Sequence, residues 1–327
     1  MGWNDQTVLV TGAGGFIGSH LTERLVALGA RTRALLRYNS SSGRGWLERS
    51  PVKDDVECLF GDVRDPDSLQ RAMQGVDVVF HLAALISIPY SYQAPSAYLR
   101  TNVEGTLNVF QVALAAGVKR IVHTSTSEVY GTAQYVPIDE AHPLQAQSPY
   151  AASKIAADKF AEAFHRSVGL PVTIVRPFNA FGPRQSTRAV TPTIITQCLS
   201  GTIVRLGNVT PTRDLNYVAN VVDGFIRAAQ TPAAIGRTLN IGSGRETGIE
   251  ELVRMIAGLL GKSIEIERNE ERVRPGASEV DRLLAANAAA REVLGWEPAV
   301  SLEEGLRSTI DWYEAHLEAY RPGCYAV

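Results

Sequence analysis

The chain has 327 residues, room for one large domain or two and for a sizeable core. Hydrophobic residues make up 45% and charged residues 20%, which excludes disorder as the main state. Against 34 acidic side chains stand 32 basic ones, a net charge of −2 with no run of five like charges, so neither a nucleic-acid nor a membrane partner is expected.

A β-rich run over 7–10 passes through Gly12, Gly15 and Gly18 into a helical pattern over 16–28. The first glycine permits a tight turn, the second lets backbone N–H groups approach a pyrophosphate, and the third allows close helix–strand packing. Gly12, Gly15, Phe16, Ile17 and Gly18 are therefore candidate dinucleotide ligands. The next strand, 31–36, should end beside the adenosine ribose, where NAD favours an acid; Arg37 stands there, with Arg44 nearby. An arginine at that place suits the 2′-phosphate of NADP, or is a solvated loop residue, so NAD is expected with NADP left open.

A strand over 56–60 leads to Asp62 and Val63, and Asp62 is a candidate acceptor for the adenine amino group; Asp65 is the better helix cap. The strand over 76–80 ends in His81, Leu82, Ala83 and Ala84, small enough for a cofactor to lie against backbone, with His81 expected to be structural. A helix is predicted over 97–116 and a strand over 120–124, running into Thr124-Ser125-Thr126-Ser127-Glu128. Thr126 suits hydrogen bonding to a reacting hydroxyl, and Glu128 suits moving a carbon-bound proton next to a ketone, unless it is a solvated loop acid. Tyr150 and Lys154 open a helix over 150–168 that Pro149 helps initiate, and at about 100° per residue they share a face. A nearby ammonium and a nicotinamide charge would lower the tyrosine pKa and make it a base.

Strands alternating with helices imply a doubly wound parallel α/β sheet of Rossmann type. After a strand over 172–175 and Pro177, prolines and glycines including Pro192 break the chain into short pieces, and a smaller irregular lobe is expected. A helix over 218–229, a strand returning at 238–241, and helices over 249–260, 285–294 and 302–317 complete the prediction. The expected division is a dinucleotide-binding domain over 1–178 and 213–243, interleaved with a substrate-binding lobe over 179–212 and 244–327. Asn179, Arg184, Arg213 and Arg274 lie in or beside that lobe and suit a diphosphate, with surface ion pairs the alternative for each arginine. Cys58, Cys198 and Cys324 form neither a disulfide framework nor a metal motif, no leader or membrane span is evident, and a cytoplasmic, metal-free protein is expected. Cys324-Tyr325-Ala326-Val327 fits a prenylation tetrapeptide formally, but without a preceding basic segment it is taken as an ordinary tail.

Together these residues resemble the extended short-chain dehydrogenase/reductase family, specifically its sugar-nucleotide epimerases and dehydratases. Within it, the stretches 81–92, 130–138 and 192–197 resemble 4,6-dehydratases of the legionaminic-acid type. The resemblance implies an NDP-hexose substrate, such as an N-acetylglucosamine-like sugar on UDP or GDP, and a homodimer through a four-helix contact. It implies that Thr126, Tyr150 and Lys154 oxidise the sugar while Ser127 and Glu128 handle elimination. It further places Val63, Asn102, Thr124 and Pro177 on the cofactor side and Ser87 on the substrate side. Glucose-type dehydratases carry Thr-Asp-Glu where this chain has Thr-Ser-Glu, so Glu128 is expected both to remove the C5 proton and to protonate the leaving oxygen. The expected activity is 4,6-dehydration. UDP-glucuronate decarboxylation, 4-epimerisation and a non-catalytic dinucleotide sensor are the alternatives.

Overall fold

The computed structural model describes residues 2–41, 43–273 and 276–320. Arg274 and the cysteine tail at 324 lie outside them. The strands β1 (Thr7–Thr11), β2 (Arg31–Arg37), β3 (Glu57–Gly61), β4 (Val78–His81), β5 (Arg120–Thr124), β6 (Val172–Pro177) and β7 (Thr238–Ile241) make one sheet. Its order is β7-β6-β5-β4-β1-β2-β3, parallel throughout. Every residue of β1 and β4 is buried, which is why both read as unbroken apolar runs.

Helices cover both faces. On one, α1 (Phe16–Ala27) and α5 (Val218–Gln230) bury Leu21, Leu25, Val221 and Phe225 in a cluster with Val8, Val10, Phe80 and Trp296. On the other, α2 (Pro66–Met73), α3 (Gly105–Ala115) and α4 (Pro149–Val168) bury Leu69, Phe110 and Ala161 against Leu9, Val79 and Ile121. This is the doubly wound arrangement expected from the alternation. The order reverses at β1, so the crevice between the carboxyl ends of β1 and β4 is where such a sheet takes a ligand.

Two expectations are corrected. The helix predicted over 97–116 is three pieces, Pro95–Tyr98, a π-helical stretch Leu99–Glu104, and α3. The wider π turn holds Asn102, whose side chain is bonded to the segment after β4. Pro192 does not break the chain: it sits in the first turn of a helix, Val190–Ser200, where its missing N–H has no intrahelical acceptor to lose. That helix packs with Ile249–Leu259 and Leu302–Ala315 around Ile194, Leu252 and Tyr313, a cluster separate from the sheet. Three two-stranded pairs complete this part, among them Thr212–Asp214 antiparallel to Glu246–Gly248. Among the described residues no helix is long and apolar enough to cross a membrane, and no cluster of His, Cys, Asp and Glu could hold a metal.

Candidate active site

The glycine turn closes as its spacing requires. Gly12 has φ 73°, and a Cβ there would lie 2.9 Å from the Ala83 nitrogen, so the turn packs directly on the backbone after β4. A Cβ on Gly18 would come within 2.2 Å of the Gly12 carbonyl oxygen, which explains the third glycine. α1 starts at Gly15 with no side-chain cap, leaving the N–H groups of Phe16, Ile17 and Gly18 directed out of its first turn. Thr11 was not foreseen in this role. Its hydroxyl accepts from the Leu82 and Ala83 nitrogens, both at 3.1 Å, and meets His81 Nδ1 at 2.8 Å, joining β1 to the β4 end. The other ring nitrogen of His81 lies 3.0 Å from the Thr106 hydroxyl, so His81 is structural, as its position suggested.

Toward the adenosine end, Arg37 closes β2 at an exposed position. Asp62 pairs with Arg64: its carboxylate accepts from Arg64 Nε at 2.9 Å and Nη2 at 2.6 Å, and this pairing holds its pKa below the usual carboxylate range. Val63 is buried, and its carbonyl accepts from Asn108 at 3.2 Å. Asn102 acts at one remove. Its Nδ2 donates to the Leu85 carbonyl and the Ser153 hydroxyl, both at 2.9 Å, and its Oδ1 accepts from the Leu85 nitrogen at 2.8 Å, pinning the segment around Ala84 to α4.

At the end of β5 the chain enters a short 3-10 turn, Ser127–Tyr130, capped by Thr126, whose hydroxyl accepts from the Glu128 nitrogen at 3.2 Å. Ser148 caps α4 in the same way, accepting from Ala151 N at 3.1 Å, and this sets where Tyr150 and Lys154 face. The turn that Thr126 caps packs against α4, and both Thr126 and Glu128 act on the Tyr150 phenol. Thr126, Glu128, Tyr150 and Lys154 thus converge at the carboxyl edge of β5, with Ser127 buried behind them.

The electrostatics correct one expectation. Burial pushes the Tyr150 phenol well up, Thr126 opposes this, and Glu128 adds to it, so the protein alone does not depress this tyrosine. Lys154, 4% exposed, is lowered to about 8 by burial, with Asp158 pulling the other way. Its ammonium donates to the Thr124 carbonyl at 2.6 Å. The Thr124 hydroxyl is buried without a partner among the described residues. A dinucleotide fits here: an uncapped helix start for its pyrophosphate, a tight glycine turn, and an ammonium and a hydroxyl at the sheet edge for its ribose.

The expected substrate residues separate. Asn179 has a buried side-chain oxygen with no partner among the described residues. Arg213 is buried on the strand Thr212–Asp214 and lies 3.3 Å from Glu279. Arg184, with φ 72°, points to α1 instead, donating to Glu23 at 2.9 Å and Ser19 at 3.1 Å. The Ser87 hydroxyl caps the helix Ile88–Gln93, accepting from Tyr90 N at 3.4 Å. Pro177 closes β6 opposite Ile241.

Residues 9–309 match the family model described as GDP-mannose 4,6 dehydratase. A UDP-glucose 4-epimerase of Mycolicibacterium smegmatis is 37% identical over 93% of this chain and 97% of its own length. A dTDP-glucose 4,6-dehydratase of Streptomyces griseus is 35% identical over 96% of both chains. Among solved structures, DesIV, a dTDP-glucose 4,6-dehydratase from Streptomyces venezuelae with NAD and TYD bound, superposes with a TM-score of 0.86 at 32% identity, over 97% of this chain and 99% of that one. These matches span nearly the whole chain and agree with its fold: the chain belongs to the NAD-dependent sugar-nucleotide epimerase/dehydratase family of extended short-chain dehydrogenases/reductases. Its members carry out dehydration, epimerisation and decarboxylation of nucleotide sugars.

Proposed function

We propose that this chain is a 4,6-dehydratase acting on a nucleoside diphosphate hexose with NAD as its resident cofactor. The observation that carries the reading is the position of Glu128, a carboxylate on a turn that Thr126 caps and that packs against α4, the helix that carries Tyr150 and Lys154. Oxidation and return of hydride alone leave such a carboxylate without a task; elimination requires it.

Tyr150 takes the proton of the sugar C4 hydroxyl while Thr126 orients that hydroxyl and Lys154 holds the phenol's surroundings positive. Held at the glycine turn and beside Lys154, NAD would supply the redox chemistry, as acceptor of the C4 hydride and its donor to C6. The C4 ketone acidifies C5–H. Glu128 removes that proton and passes a proton to the C6 oxygen, Ser127 fixing its rotamer, and one water leaves; as hydride returns to C6, C5 takes up a solvent proton and Tyr150 releases to solvent the proton it took from the C4 hydroxyl. The product is a 4-keto-6-deoxy sugar with no net redox change. Arg213 and Asn179 hold the diphosphate, and Arg274 joins them in this reading. Arg184 serves α1 and is withdrawn from the set, because its guanidinium is engaged by Glu23 and Ser19.

Glu128→Gln is the direct test. The variant should retain nucleotide-sugar binding and C4 oxidation while water loss, followed by mass spectrometry, falls at least about a hundredfold, the scale of a lost acid–base group. Full dehydration by it would overturn the assignment. A second reading, 4-epimerisation, is favoured by the 37% identity to an epimerase. It predicts that Glu128→Gln is near neutral and that C4 inverts.

The same reading includes a cytoplasmic homodimer. Leu99, Leu114 and Val168, exposed on or beside α3 and α4, offer its apolar contact. Light scattering should give twice the chain mass.

A further inference from the structure

Beneath Tyr150 and Lys154 lies a buried polar network that the proposed steps leave unused. Tyr150, Lys154 and Asp158 recur every four residues along one face of α4. Asp158 is fully buried. Its Oδ2 accepts from the Ser125 hydroxyl at 2.8 Å, Arg176 Nη2 at 2.9 Å and Arg176 Nε at 3.1 Å. Arg176 Nη1 donates to the Tyr130 hydroxyl at 2.9 Å, and that hydroxyl donates to Asn240 at 2.7 Å, so the clamp is fixed from β6 and β7. Among the described residues Asp158 Oδ1 has no hydrogen-bond partner, and it lies 3.4 Å from His123 Nε2.

The groups facing Lys154 can be read element by element. Asp158 on α4, His81 on β4 and His123 on β5 interact with it by charge, and Tyr150 stands one turn before it on α4. Burial keeps both histidines neutral. Burial lowers Lys154 to about 8, and Asp158 is the charge that opposes this.

We propose that Asp158 is a positioning residue for the reaction: locked by Ser125 and Arg176, its carboxylate supplies the counter-charge that keeps Lys154 an ammonium beside Tyr150. The inference rests on the reading of Tyr150 and Lys154 as the oxidising pair. Arg176 fixes where that charge sits and keeps the carboxylate ionised, so the arrangement acts as a preset field.

The test is the pH profile of turnover. Wild-type kcat should fall as pH rises past the Lys154 value of about 8. Asp158→Asn should carry that alkaline limb down by about one pH unit, while Asp158→Glu leaves it near its original place. Ser125→Ala breaks a hydrogen bond to the same carboxylate without removing charge and should leave the limb in place. Should Asp158→Asn fail to fold with Arg176 unpaired, Asp158→Asn/Arg176→Met removes both charges and should still show the downward shift. Lysine side-chain NMR titration of the same proteins should give the shift without turnover. An unmoved limb, with rates lowered evenly across pH, overturns the proposal and leaves Asp158 structural. Wild-type turnover by Tyr150→Phe or Lys154→Met would overturn the oxidising-pair reading itself.

Discussion

Single side chains in this protein work mainly by holding backbone. Asn102 pairs both peptide groups of Leu85 and the Ser153 hydroxyl, so Asn102→Ala leaves buried polar groups unsatisfied. It should cost about 2–4 kcal/mol in urea unfolding and speed cofactor loss on gel filtration; a variant matching wild type in both would show that the segment after β4 holds itself. Thr126, Glu128, Tyr150 and Lys154 were legible because their spacing is local and the elements carrying them were strongly patterned. The commitments of Arg184 to Glu23 and of Asp62 to Arg64 were not, since a charge in the sequence carries no record of which partner the fold supplies. Asp158 did leave a signal, a carboxylate two turns beyond Tyr150 on the inner face of α4, and nothing in the motif itself drew attention to it.

At the scale of elements, the site is two strand ends and two helix starts. The glycine turn brings α1 against β1 so closely that Gly18→Ala places a methyl group 2.2 Å from the Gly12 carbonyl oxygen, backbone that cannot swing aside. That variant should lose about 1–3 kcal/mol and its dinucleotide, measured by denaturation and by absorbance of the released cofactor; retention of both would mean that the turn is softer than its packing indicates. The parallel, doubly wound sheet followed from alternation, because strands separated by helices leave few other arrangements. The π-helical stretch around Asn102 was invisible, since one extra residue per turn leaves the apolar pattern almost intact. The helix Val190–Ser200 was hidden by Pro192, a residue that reads as a breaker yet sits harmlessly in a first turn.

For the molecule as a whole, burial lowers the pKa of His20, His81 and His123 in the fold. Each is neutral in the native state where the unfolded chain begins to bind protons near pH 6.5, so stability should decline as pH falls below that value, by up to about 1.4 kcal/mol per unit for each histidine. Thermal melts should drop between about pH 7.5 and pH 5.5; melts that stay level across that range would contradict the buried, neutral assignment. Asp158, lowered in the fold, contributes in a different window: its stabilisation is complete above the carboxylate range and is lost only as strong acid protonates it. The near-zero charge balance of the whole chain carried no record of which arginines are committed elsewhere, because Arg213 and Arg184 differ only in the contacts that tertiary packing gives them.

The account turns on one carboxylate completing an elimination that an oxidation has made possible. Nucleoside diphosphate hexoses deuterated at C4 should therefore be turned over in ordinary water and the product examined by NMR. Dehydration predicts a 4-keto-6-deoxy sugar with the label moved to C6 and solvent hydrogen at C5. Label retained at C4 with inverted stereochemistry, or loss of carbon dioxide from a hexuronate with no dehydrated product from any hexose, would contradict it.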